Sequence, residues 1–97
     1  MDGKTEATVE INVASSLREL LKGLSIVQAK GTTVRHLLDN LNIQFPGVKE
    51  RMIDKWGELR SSILIRLNDE DIRSLQGLET PVKEGDFIGL FVVLAGG

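Results

Sequence analysis

The sequence predicts an α+β domain, a mixed sheet of four to five strands with one main helix packed across it. Three observations carry this. Ala7 to Val13 alternates, with Ala7, Val9, Ile11 and Val13 on one side and Thr8, Glu10 and Asn12 on the other, the period-two signature of a half-buried strand. Val34, Leu37, Leu38 and Leu41 recur at helical spacing and form one apolar stripe. Phe87 to Leu94 is apolar except for Gly89, as expected of a strand flanked on both sides. A chain of 97 residues is expected to form one domain, 1–97, with a small core and modest stability.

After the first strand, Ala14 to Gly23 reads as a turn with one helical turn at Leu17 to Lys22. Leu24 to Ala29 reads as a second strand, closed by Lys30-Gly31 and near enough to the first to pair as a hairpin. Thr32 or Thr33 is placed to cap the main helix by accepting a backbone N–H bond. Phe45 extends the helix stripe, and Pro46-Gly47 stops or redirects the chain. Val48, Met52 and Trp56 suggest a shorter helical segment ended by Gly57. Ser62 to Asn68 reads as a third strand with Ile63, Ile65 and Leu67 inward, followed by a polar turn at Asn68 to Asp71. Leu75 to Pro81 is irregular or a short edge strand, and Lys83 to Asp86 is a turn. The main helix must cross the sheet to bury its stripe, and the long last strand is best placed beside the first.

The composition excludes several function classes. A formal net charge of -2 calls for neither a nucleic acid nor an anionic membrane as partner. No apolar run approaches the ~20 residues of a membrane span, and Met1 to Glu10 lacks the basic-then-apolar order of a signal peptide. The chain has no cysteine, which removes disulfides, thiolate metal sites and cysteine nucleophiles. These features fit a cytoplasmic protein. A single histidine, His36, cannot make a multi-histidine metal site and reads as a helix-surface residue. Asp69-Glu70-Asp71 lacks the full spacing of a calcium loop, and no phosphate-loop glycine pattern is present. No metal site and no bound cofactor are expected.

The ending Ala95-Gly96-Gly97 stands apart. With ten glycines in 97 residues, a chance Gly-Gly ending is a roughly 1% event, rarer still at the average glycine usage of about 7%. It directly follows an expected core strand, with no charged residue after it. Residues 95–97 are therefore expected to be a slim, flexible probe on a rigid base. Without a Cβ, Gly96 and Gly97 can thread a narrow channel. The terminal carboxylate is a poor electrophile, but a partner could join it to the α-phosphate of ATP. Sulfide attack on that mixed anhydride would leave a thiocarboxylate, and the carrier would need no cysteine, metal or base of its own. ATP would then be used by the partner.

The Leu94-Ala95-Gly96-Gly97 ending resembles the tails of the ubiquitin-like sulfur carriers. That family includes the molybdopterin synthase small subunit, the thiamine-pathway carrier, the cysteine-synthesis carrier and the archaeal ubiquitin-like modifiers. Ala14-Ser15-Ser16-Leu17-Arg18-Glu19-Leu20 resembles the segment after the family's first strand. Gly31-Thr32-Thr33-Val34 with Leu37-Leu38 resembles the start of its main helix. Asn68 to Arg73, Gly77 to Val82 and Gly85-Asp86 are most similar to the cysteine-synthesis carriers and archaeal modifiers. Where molybdopterin-type members often carry prolines before the tail, this chain has Val92-Val93-Leu94. The resemblance implies a ubiquitin-like β-grasp fold and a carrier that is not itself an enzyme. It implies that Gly97, with Gly96 before it, bears the adenylate and then the thiocarboxylate. It further implies two partners, a ubiquitin-activating-like adenylating enzyme and a sulfur-accepting synthase. An aromatic six positions before the last glycine contacts the partner in the molybdopterin type; here that position is Phe91.

Parity bears on the same surface. Ile88, Leu90, Val92 and Leu94 share one face of the last strand, and Phe87, Gly89, Phe91 and Val93 share the other, with Leu64 and Arg66 on the corresponding side of the third strand. If the helix covers the first face, the second is open to a partner; if the parity is reversed, Phe87 and Phe91 belong to the core. The partner-binding candidates are Phe91, Val93, Ala95, Leu64, Arg66 and Arg18. Two other functions compete with sulfur carriage: a modifier joined to lysines of other proteins through the Gly-Gly tail, and a plain interaction domain.

Overall fold

In a computed structural model that describes residues 6–93, the chain forms a five-stranded mixed sheet with helices on one face. The strands are β1 (Ala7–Val13), β2 (Ile26–Gly31), β3 (Ile63–Leu67), β4 (Glu70–Asp71) and β5 (Phe87–Val92). They lie in the order β2-β1-β5-β3-β4. β1 and β5 are parallel, and the other neighbours are antiparallel. The last strand thus sits between the first and the third, as its apolar run requires.

The main helix, α1 (Val34–Gln44), crosses one face. Its stripe of Val34, Leu37, Leu38 and Leu41 is buried, as is Phe45 just beyond it. The stripe meets Val9, Ile11, Ile63, Ile65, Ile88 and Leu90, all at most 2% exposed. Thr33 is the cap: its side chain accepts from the His36 N–H at 3.1 Å. Gly31 allows the end of β2 to run against the first turn of α1, since a Cβ there would lie 2.8 Å from the Leu37 backbone nitrogen. The outer edge of β2 is covered by α1 as well. Asn40 donates to the Lys30 carbonyl at 2.6 Å and Gln44 to the Gln28 carbonyl at 3.0 Å, which guards an edge that could otherwise template another strand.

Four local expectations need correction. The second strand begins at Ile26 and runs through Gly31, because left-handed Lys22 and Gly23 lengthen the preceding turn. The segment between them is a 3-10 helix, Ser15–Leu21. The second helix, α2 (Val48–Met52), stops before Trp56, which is 74% exposed. Asp54 ends that segment by accepting from the backbone N–H groups of Trp56 and Glu58 at 2.9 and 3.0 Å, a local bond that competes with helix. Of the stretch read as a polar turn, only Asn68 and Asp69 turn; Glu70 and Asp71 form the edge strand β4. Asn68 and Asp69, at φ 50 and 72, make the two-residue turn of a hairpin that pairs Leu67 with Glu70. Of the two readings offered for 75–81, the irregular one holds: the stretch contains a short 3-10 turn, Gly77–Glu79, and no strand.

One buried polar cluster sets where β5 begins. Asp86 is 7% exposed and accepts from the Asn68 amide at 2.9 Å and the Lys83 backbone N–H at 2.8 Å. Asn68 in turn accepts from the Phe87 N–H at 3.0 Å. The hairpin is thereby tied to the first residue of β5.

Candidate functional site

β5 presents two unlike faces. Ile88 and Leu90 are 2% and 0% exposed beneath α1, whereas Phe87 and Val93 are 39% and 44% exposed on the opposite, uncovered face. The alternation therefore falls with Phe87, Phe91 and Val93 outward, and the reversed parity is excluded. Phe91 is half-buried on that face, beside Leu64 of β3. The Arg66 guanidinium stands 5.6 Å from the centroid of the Phe91 ring, within range of a cation–π contact. Val93 continues the pairing beyond β5, its N–H donating to the Ser62 carbonyl at 2.7 Å.

Arg18 reaches this face from the other side. Its Nε donates to the Val13 carbonyl at 2.9 Å, and it shares a hollow of about 360 Å³ with Asn12, Ser25, Ile26 and Phe91. Phe91 is thus bordered by Arg18 on the β1 side and by Arg66 on the β3 side. The fold brings together Phe91, Val93, Leu64, Arg66 and Arg18; Ala95, Gly96 and Gly97 lie outside the described residues. Ile26 was missed by the sequence reading. It is 55% exposed on the same face, opposite Asn12. The alternation of Val27 and Ala29 inward, already contained in the strand read over Leu24 to Ala29, is the signal that places it there.

A second hollow, of about 400 Å³, lies toward the start of β5, lined by Glu10, Asn12, Arg66, Asp69, Phe87 and Phe91. The face is therefore apolar along β5 and charged on both flanks, the composition of a protein-docking surface. The remaining candidates for chemistry are occupied locally. His36 accepts at Nδ1 from the Thr32 N–H at 3.0 Å, and its Nε2 lies 3.4 Å from Glu6. Asp71 accepts from the Arg73 N–H at 2.9 Å. Among the described residues no group of three or more acidic, histidine or cysteine side chains could hold a metal ion, and no helix is long and apolar enough to cross a membrane.

Comparison with known proteins agrees with this architecture. The sequence pattern of the ThiS family matches residues 5–97. The chain is 32% identical over 91 residues to the sulfur carrier protein CysO of Mycobacterium tuberculosis, covering 92% of this chain and 98% of that one. A chain in the crystal structure of the Amycolatopsis orientalis BexX/CysO complex superposes with a TM-score of 0.85 at 35% identity, covering 92% of this chain and 99% of that one. The solution structure of small archaeal modifier protein 1 from Methanosarcina acetivorans superposes with a TM-score of 0.83 at 32% identity, covering 97% of this chain and 100% of that one. With a β-grasp sheet, a crossing helix and a match that runs to Gly97, the chain belongs to the ThiS family of ubiquitin-like sulfur carriers.

Proposed function

We propose that the chain carries sulfur on the carboxyl group of Gly97, as the thiocarboxylate, and donates it in cofactor or cysteine biosynthesis. The observation that carries this reading is the position of β5. It is a central strand with one face held by the core, and Gly97 follows its last residue, Val92, by five positions. Five residues extend at most about 17 Å, so a partner that takes up the carboxylate must sit close to the open face. Gly96 and Gly97 have no Cβ and suit a channel too narrow for other residues.

The chemistry belongs to the partners. A ubiquitin-activating-like adenylating enzyme would supply ATP. The Gly97 carboxylate oxygen attacks the α-phosphorus, an O–P bond forms, and pyrophosphate leaves. Hydrosulfide or its enzyme-bound equivalent then attacks the acyl carbon, a C–S bond forms, and the C–O bond to AMP breaks. A sulfur-accepting synthase receives the sulfur from the resulting thiocarboxylate. This chain contributes the acyl group and the docking face, and is a substrate rather than an enzyme. Dependence on ATP fits a cytoplasmic setting. In this reading Phe91, Val93, Leu64, Arg66 and Arg18 contact the adenylating enzyme, and Ala95 enters with the diglycine.

A second reading, conjugation to lysines of other proteins, is favoured by the similarity to a small archaeal modifier protein. It begins with the same adenylate. Intact-mass analysis after incubation with the adenylating enzyme, ATP and a sulfur source separates the two. Carriage replaces one oxygen by sulfur and adds only the difference between those atoms. Conjugation instead yields adducts heavier by a whole protein. An unchanged mass contradicts both readings.

A further inference from the structure

Gly89 lies in the middle of β5, between Asn12 of β1 and Arg66 of β3. Its side-chain position belongs to the open face, because Ile88 and Leu90 on either side point into the core. Its φ is not in the left-handed region, so the backbone does not call for glycine. What calls for it is space. A Cβ on Gly89 would lie 2.6 Å from Cε2 and 2.9 Å from Cζ of Phe91, well inside the ~3.5–4.0 Å of ordinary carbon contact. The Phe91 ring is laid back along its own strand, and it leaves Gly89 buried on a face that is otherwise open. Arg66, the cross-strand neighbour of Gly89, stands at the same ring.

We propose that Gly89 is a positioning residue, whose missing Cβ lays the Phe91 ring down on the sheet and so preforms the surface that meets the adenylating enzyme. This rests on the carrier reading of Gly97. The occupant follows from reach: Phe91 precedes Gly97 by six residues, a span of about 20 Å at full extension, so whatever binds the carboxylate covers or borders the ring. Its contact surface should be flat and apolar where it meets the ring, with acidic groups toward Arg66 and Arg18. A ring already in its bound position loses less freedom on docking than one that must be ordered by the partner. The clash created by a methyl at position 89 is with the far end of the ring alone. The ring can swing off the sheet to relieve it, so the fold should survive the change while the surface does not.

The test is a double-mutant cycle of Gly89→Ala and Phe91→Ala, read by ATP–pyrophosphate exchange as each carrier is titrated against the adenylating enzyme. Each single variant should raise the KM for the carrier at least about fivefold, the loss that marks an interface anchor, with kcat unchanged. The double variant should be no worse than Phe91→Ala alone, because the two residues act through one ring. In the unmodified chain, NMR should show contacts between the Phe91 ring protons and the Gly89 Hα protons, the latter shifted upfield by the ring current. An unchanged KM for Gly89→Ala, an equal effect with and without Phe91, a loss confined to kcat, or absent ring contacts would each overturn the proposal. Absence of exchange by the unmodified chain overturns the carrier reading itself, while the NMR contacts report separately on the ring.

Discussion

Replacing Leu90 and Phe91 in turn by alanine compares two adjacent residues of β5 that face opposite ways. Leu90 is 0% exposed in the core beneath α1, and a buried Leu→Ala change costs about 2–5 kcal/mol. Phe91 is larger but only half-buried, with Arg66 at 5.6 Å from its ring. Full burial of a phenylalanine is worth about 1.5–3 kcal/mol, so the partial burial of Phe91 gives roughly 1–2 kcal/mol. An exposed cation–π contact adds about 0.5–1 kcal/mol. Phe91→Ala is thus expected to cost about 1.5–3 kcal/mol, against about 3–5 kcal/mol for a buried Phe→Ala change. Urea denaturation of both variants, with a shared slope, measures the difference. The smaller residue should prove the more important to stability, and the larger one the more important to docking. A loss for Phe91→Ala as large as that for Leu90→Ala would show that the ring belongs to the core and that the docking argument is wrong.

Three further outcomes are expected. Gly31→Ala should destabilise by about 1–3 kcal/mol in urea, because the new methyl meets the backbone of Leu37 at 2.8 Å and cannot swing aside; a neutral change would contradict the close approach of β2 and α1. Thr33→Ala should cost about 1 kcal/mol through loss of the cap on α1, with Thr33→Asn restoring most of it; equal losses for both would remove the capping role. Trp56→Ala should change stability by no more than about 0.5 kcal/mol, since the ring is 74% exposed, and a loss of several kcal/mol would place Trp56 in the core after all.

The elements readable from the sequence are those whose signals are local and repeated. The alternation of β1, the stripe of α1 and the apolar run of β5 each dictate burial on their own. From parity alone Phe91 and Val93 fall on the face opposite Leu90. The misread stretches are those decided by single side chains or by tertiary partners. Two polar residues, Glu70 and Asp71, carry no strand pattern, and they pair only because Asn68 and Asp69 adopt left-handed turn angles. Trp56 continues the helical spacing of Val48 and Met52, but Asp54 bonds the backbone and ends the segment first. At the site, Ile26 lies within the expected strand and alternation turns it outward, but its place beside the other site residues depends on its pairing with Asn12, which the residues of its own strand do not display. The coupling of Gly89 to Phe91 was hidden because a glycine in a strand signals close approach without naming what approaches.

The central claim is that the Gly97 carboxylate is the working group, and deletion of Gly96 and Gly97 tests it most directly. The core is built from residues up to Val92 and the open face from residues up to Val93, so the truncated chain should melt with the full-length one. Its carboxylate would retreat by two residues, roughly 7 Å, and misplacing a reacting group by even ~1 Å can cost about a hundredfold in rate. The measurement is ATP–pyrophosphate exchange with the adenylating enzyme, run beside a thermal melt of each chain. Exchange abolished in a fully folded truncation is the expected result. Exchange by the truncated chain as fast as by the full-length chain would contradict the account.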